Sequence, residues 1–209
     1  MTTAIAPTRD RLLDAALELF AEHGYTETTV GDIEAAVGLV PRSGALYKHF
    51  ASKDVLLHEA LERFIAATEV VGSRVFELLP LGDQRAEATL LARTTMAHFS
   101  AQRDFLRIVF QERSRIPDVV AEMHRRAVAP AYAIATQWVQ RQVDAGLFAP
   151  CDVEAIAAVI VIPFVGYRLE LNLFGVPPGD VDEERFIAAW VDILMGYANG
   201  SKGDTDANP

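Results

Sequence analysis

The sequence predicts an all-α chain: three short N-terminal helices, one long connecting helix and a larger C-terminal bundle. Three observations carry this. Apolar residues recur every three or four positions through nearly every segment. No run sustains the alternation of a strand over a useful length. The periodic segments are separated by Gly- and Pro-bearing breakers, "EHGYTE", "PLGD", "RIPD", "DAGLFAP" and "GVPPGD".

The elements follow in order. Pro7 or Thr8 opens a first helix, whose face is Leu12, Leu13, Ala16, Leu19 and Phe20 and whose stop is Gly24. Thr28 or Thr29 caps a second, with Ile33, Ala36 and Val37 on one side and Gly38 ending it. A third is expected over residues 41–50, starting at Pro41, because proline suits the first helical position. Ser52 caps a long helix over 53–79, carried by Leu56, Leu57, Leu61, Phe64 and Ile65. Further helices are expected over 84–101, 103–114, 117–145, 152–174 and 183–198. Pro130 and Pro163 fall inside two of them and predict kinks or short breaks. The natural division is 1–52, 53–199 and a polar, Gly/Asp-rich tail over 200–209, expected to be disordered.

Composition narrows what such a chain does. With 209 residues, half of them apolar, it can bury a sizeable core. A net charge of −10 excludes diffuse nucleic-acid binding, so any such contact must be local. Cys151 is the only cysteine, which excludes an intrachain disulfide and a cysteine zinc cage. The five histidines are scattered, no Gly-rich loop suggests a nucleotide, and no Ser-His-Asp set suggests an enzyme. Neither a metal nor a cofactor is expected. The start lacks a signal-peptide pattern, and the longest uncharged run, residues 155–167, is shorter than the ~20 residues of a membrane span. A soluble, cytoplasmic protein is expected.

One window departs from the acidic background. Residues 1–55 hold five cations against eight acids, yet between Leu39 and Lys53 there are three cations and no carboxylate. Two short helices about a glycine turn fit a helix-turn-helix. Excluding carboxylates from one surface matters where that surface must approach phosphates, since like-charge contact costs several kcal/mol. The window therefore reads as a face for DNA.

The residues that surround it resemble the N-terminal domain of the tetracycline-repressor (TetR) family of transcriptional regulators. The likeness rests on Ala15, Ala16, Leu19 and Phe20, Gly24-Tyr25, Thr28-Thr29, Asp32-Ile33, Gly38, Leu46-Tyr47-x-His49-Phe50, and Ser52-Lys53-Asp54-x-Leu56. It spans the first quarter of the chain; "QERSRIPDV" and "DAGLFAPCD" extend it more loosely. The family pattern has Ala after Asp-Ile, and three residues between the turn glycine and the next glycine. Here five residues, Leu39 to Ser43, separate Gly38 from Gly44, and Val40 stands where the family has a Ser cap.

The resemblance implies roles. Thr29, with the N–H groups of the second helix, would hold a phosphate. Tyr47, His49 and Lys53 correspond to phosphate contacts, which position without specifying. Arg42, Ser43, Ala45 and Lys48 are the base-reading candidates, with Arg42 suited to guanine. Leu46 and Phe50 are core residues.

In the C-terminal part, the apolar run 155–167 and the wide stripe of the last helix need more cover than one chain supplies. Ile160, Phe164, Tyr167, Leu171, Trp190 and Leu194 are therefore expected in a homodimer interface. The resemblance also implies a ligand cavity, for which Met96, Phe99, Phe105, Met123, Trp138, Phe164 and Tyr167 are candidates. The leading expectation is a homodimeric regulator, a repressor released from palindromic double-stranded operator DNA by a small, largely apolar inducer. The rivals are a helical ligand-binding protein that has lost DNA affinity, and a helical-bundle enzyme.

Overall fold

The computed structural model describes residues 7–203. Among them the regular structure is helical, with no strand. Helices α1 (Thr8–His23), α2 (Val30–Ala36), α3 (Lys53–Leu78), α4 (Gln84–Ala101), α5 (Arg103–Glu112), α6 (Pro117–Met123), α7 (Ala129–Asp144), α8 (Val153–Phe174) and α9 (Glu183–Gly203) follow one another. Helix α9 runs past Gly200, where the tail was expected to begin; residues 204–209 of that tail lie outside the described residues.

The chain forms two compact units. One holds the described residues up to Ala66 together with Gln102–His124. The other holds Ala67–Ala101 and the described residues from Arg125 onward. The first unit thus takes in the start of α3 and all of α5 and α6, elements that lie outside residues 1–52 in sequence.

In the first unit, α1 buries Leu12, Leu13, Ala16, Leu17, Phe20 and Ala21, and α5 packs on it. Gly24 ends α1 with a φ of 91°, and its N–H reaches the carbonyl of Phe20 at 3.0 Å. Phe64 of α3 lies against Phe105 of α5 with ring centroids 5.0 Å apart.

The expected third helix over 41–50 is not there. The chain instead makes turns through Pro41–Gly44 and a single 3-10 turn, Leu46–Lys48. The reason lies in the longer connection. Arg42 and Gly44 take φ values of 61° and 74°, which interrupt a right-handed helix. The Ser43 N–H bonds the Val40 carbonyl at 3.2 Å, closing a β-turn with Pro41 and Arg42 at its centre. Proline first and positive φ second is the type II pattern.

The expected helix over 117–145 is divided. Residues His124–Val128 form one π-helical turn between α6 and α7. Pro130 has no N–H to offer the carbonyl four residues back, so the regular ladder cannot pass through it. Pro163, by contrast, sits inside α8 and the helix continues. Asp152 caps α8 by accepting the Ala155 N–H at 3.0 Å, and left-handed Gly175 ends it. Helix α8, 22 residues, is long and apolar enough to cross a membrane by length and composition, more than its uncharged run alone. Only 17% of its apolar stretch is buried within the chain.

Candidate nucleic-acid interface

The window Leu39–Lys53 is anchored from below and open above. Leu46 and Phe50 are fully buried. Between them Tyr47, Lys48 and His49 are exposed, as are Arg42 and Ser43, while Ala45 is half-buried. Tyr47 shows 57% of its surface and Val40 72%. The structure thus brings Arg42, Ser43, Tyr47, Lys48 and His49 onto one short exposed stretch, with two apolar side chains as its footing.

Thr29 and Lys53 are placed differently. Thr29 is the N-cap of α2 in a reciprocal capping box. Its hydroxyl accepts the Asp32 N–H at 3.2 Å, and its own N–H donates to the Asp32 carboxylate at 2.8 Å. The Thr29 hydroxyl also donates to that carboxylate. These bonds to Thr29 hold the Asp32 carboxyl below its ordinary range. The anion at this helix start is therefore supplied by the protein itself.

The Lys53 ammonium donates to the carbonyls of Tyr25 and Thr28, each at 2.7 Å. It lies over the ring of Tyr25 at 4.6 Å and near that of Phe20 at 5.8 Å. Burial pushes its pKa down. Tyr25 also donates its hydroxyl to Asp54, and burial followed by that bond raises the phenol well above its ordinary value. Lys53 is thus a clasp between the start of α3 and the α1–α2 connection.

Two carboxylates that the sequence did not single out hold this unit together. Glu34 has no exposed surface; its Oε1 accepts the Leu46 N–H at 3.0 Å and its Oε2 the Ser43 N–H at 3.1 Å. The Leu46 bond foremost, with those of neighbouring amides, lowers its pKa against the opposing effect of burial. Glu112 of α5, buried, accepts the Tyr25 N–H at 3.3 Å and pairs with Arg115 at 2.9 Å. The departure from Ala at position 34 was a legible signal; nothing in the sequence pointed Glu112 at Tyr25.

The ligand candidates divide between the units. Met96, Trp138, Phe164 and Tyr167 are buried in one core of the second unit, with Phe99 packed against it. Phe105 and Met123 belong to the first unit. The second unit also has a cavity of about 370 Å³ lined by Leu79, Gln84, Glu87, Trp138, Gln142 and Leu147 among others, so Trp138 alone of the candidates borders it.

The dimer candidates divide as well. Phe164, Tyr167 and Leu194 are buried inside their own chain, and Ile160, Leu171 and Trp190 are half-buried. The Trp190 N–H bonds the Ile160 carbonyl at 3.1 Å, and its ring meets Phe164 edge-on. The large apolar side chains that α8 and α9 leave exposed among the described residues are instead Val159, Ile162, Leu173, Phe174, Ile193 and Tyr197.

Comparison with known proteins agrees with this arrangement. Residues 12–60 match the model for bacterial regulatory proteins of the tetR family. Residues 87–197, more than half of the chain, match the model for the C-terminal domain of AefR-like transcriptional repressors. The chain belongs to the TetR family of transcriptional regulators. Members of that family are DNA-binding transcriptional regulators rather than enzymes. The HTH-type transcriptional repressor KstR2 of Rhodococcus jostii is 36% identical over 105 residues, covering 50% of this chain and 49% of that protein. The HTH-type transcriptional regulator AcrR of Shigella flexneri is 26% identical over 193 residues, 90% of this chain and 87% of that one. A tetR-family regulatory protein from Rhodococcus shares the fold at a TM-score of 0.69 and 19% identity, covering 93% of this chain and 98% of the other.

Proposed function

We propose that this TetR-family regulator is a cytoplasmic homodimeric repressor that binds a palindromic operator duplex through Arg42, Ser43, Ala45, Tyr47, Lys48 and His49. We propose further that a small, largely apolar ligand releases it. The observation that carries the reading is the exposed, carboxylate-free stretch standing on Leu46 and Phe50. In this reading Lys53 shapes the surface rather than lies on it, because its ammonium already serves the Tyr25 and Thr28 carbonyls, whereas Thr29 is exposed with its N–H and hydroxyl engaged by Asp32.

Dimerisation is supported by α8, a largely apolar helix of which only 17% of the apolar stretch is fully buried in one chain, and by Ile193 of α9, 75% exposed. An isologous pairing of these helices would cover both. Ligand release is supported by the continuity of α3 from Lys53 to Leu78 and by the packing of α5 on α1, where Glu112 reaches Tyr25. A change in α5 would reach the head directly. Repression is the role named for the KstR2 relative.

The test is fluorescence anisotropy of the full chain with duplexes it selects from a random-sequence library, across salt concentrations. A selected palindrome bound as two chains per duplex, with a steep salt dependence, is the expected result. Equal, weak binding to all duplexes would leave the ligand-binding protein as the better reading.

A further inference from the structure

In the TetR-type head the segment after the turn glycine meets DNA, and this chain lengthens that segment by two residues. The resemblance sets three residues between the two glycines and Ala after Asp-Ile; here there are five, and the Ala position is Glu34. These two departures meet in space. Glu34 and Gly31 lie three residues apart on α2, hence on one face. Both are buried, and both face the longer connection. A Cβ at Gly31 would come within 3.3 Å of the Arg42 Cγ, so glycine leaves room for the Arg42 stem. Glu34 reaches past it to the amides of Ser43 and Leu46.

The bonding explains why a carboxylate sits there. Val40, at the family's Ser position, has no side-chain acceptor, so it cannot cap the amides that open the 3-10 turn. Ser43 Oγ accepts the Ala45 N–H at 3.3 Å, and Glu34 accepts the two on either side. The Leu46 amide is buried, so without Glu34 it would have neither water nor protein as partner. A carboxylate has two acceptor oxygens for two N–H groups, which an amide or hydroxyl side chain does not offer.

We infer that Glu34 and the two-residue-longer turn are one device: the Glu34 carboxylate, with Gly31 making room, holds the displaced DNA-facing segment at a set height above α2. Glu34 is a positioning residue; it touches no base. It acts on where Arg42, Ser43, Tyr47 and Lys48 stand. The inference rests on the DNA-binding reading for its consequence, but not for its structural part.

Two measurements test it on four full-length variants: Glu34→Gln, Glu34→Ala, a deletion of Val40 and Pro41 that restores the three-residue spacing while keeping Arg42, and that deletion combined with Glu34→Ala. The first measurement is amide hydrogen exchange at Ser43 and Leu46 without DNA. Glu34→Ala should speed exchange at both by at least about tenfold, and Glu34→Gln, which keeps one acceptor oxygen, at one more than the other. The second is affinity for the duplex selected by the wild type. Glu34→Ala and the deletion should each weaken it by about tenfold or more, and the combined variant should bind better than either. Unchanged exchange in Glu34→Ala, or losses that multiply in the combined variant, would overturn the inference. Should Glu34→Ala not fold, equal exchange at both amides in Glu34→Gln and the wild type would overturn it alone. If the wild type selects no duplex, the DNA-binding reading falls, while exchange still decides whether Glu34 holds the segment.

Discussion

The two compact units solve different problems with different side chains. In the first, polar groups reach across the sequence to backbone atoms: Arg11 to the Val37 carbonyl, Lys53 to those of Tyr25 and Thr28, Glu34 to the Ser43 and Leu46 amides. In the second, such bonds also occur, as from Arg168 to the Met96 carbonyl and Trp190 to that of Ile160, but the core carries a larger set of edge-on aromatic contacts among Phe164, Phe186, Trp190, Trp138 and Phe148. The exposed apolar residues of α8 and α9 lie in this unit. Directional bonds hold irregular turns in one shape, because a turn has few repeating contacts to hold it. Apolar contacts are non-directional and sum with area, which suits a helix face that is to be covered by another helix. The head is thus specified within one chain, and the C-terminal unit is left with surface for a partner.

The largest effect should come from the uncovered surface. Ile193→Glu places a charge on the exposed face of α9 without touching the chain's own core. If that face is covered in a dimer, burying an unpaired carboxylate costs roughly 3–5 kcal/mol. Sedimentation should then show folded monomers and anisotropy should show loss of duplex binding. An unchanged dimer would move the interface off α9 and blur the contrast between the units. Trp190 is a poorer probe, because its ring and N–H already serve Phe164 and Ile160 in the same chain.

Next in size is the clasp. Lys53→Met removes two hydrogen bonds to backbone carbonyls and should lower stability by about 1–3 kcal/mol. It should leave the slope of log affinity against log salt unchanged, since the ammonium faces inward. Lys48→Ala should do the opposite, reducing the slope by about 0.9 per chain, hence about 1.8 for two chains on one duplex, with little change in melting temperature. A reduced slope in Lys53→Met would make that residue a phosphate contact after all.

Arg42→Ala separates reading from holding within the head. It should cost about 1–3 kcal/mol per half-site on the selected duplex and relax preference at one base pair in each. Equal losses on selected and random duplexes would remove Arg42 from base reading.

The smallest effect concerns the second unit alone. His98 of α4 is half-buried with its Nε2 3.1 Å from the Thr68 hydroxyl, and burial pushes its pKa below the ordinary 6.5. The unfolded chain therefore binds the proton more readily. His98 contributes stability above pH 6.5 that is lost as pH falls below it, by at most about 1.4 kcal/mol per pH unit. Urea midpoints between pH 5 and 8 should show this slope, and His98→Gln should flatten it. A slope that persists in His98→Gln assigns the effect to other groups.

What was legible in the sequence depended on repetition. Eight of the expected helices leave a period of three to four apolar residues, and the structure has helix at each, though it divides 117–145 at the turn before Pro130. Leu46 and Phe50 read as core because burial follows apolarity, and both are buried. The third helix was misread for the same reason. Pro41 looked like a helix start, but the longer connection turns at Arg42 with a positive φ that local pattern does not reveal in a non-glycine residue. The helical pattern alone puts Glu34 in solvent, and only the departure from Ala at that position marks it as a buried site. Only amides nine and twelve residues away make its burial favourable.

By itself, then, the sequence determined the all-α class, a cap at Thr28 or Thr29 and one at Ser52, and the carboxylate-free window, all properties of neighbours along the chain. Tertiary structure alone decided that Lys53 and Glu34 turn inward, that Phe164, Tyr167 and Leu194 lie in their own chain's core, and that Val159, Ile162 and Ile193 remain uncovered. The physical reason is that apolarity and charge state which side chains need a partner, whereas the partner is chosen by backbone and side chains that only folding brings within reach.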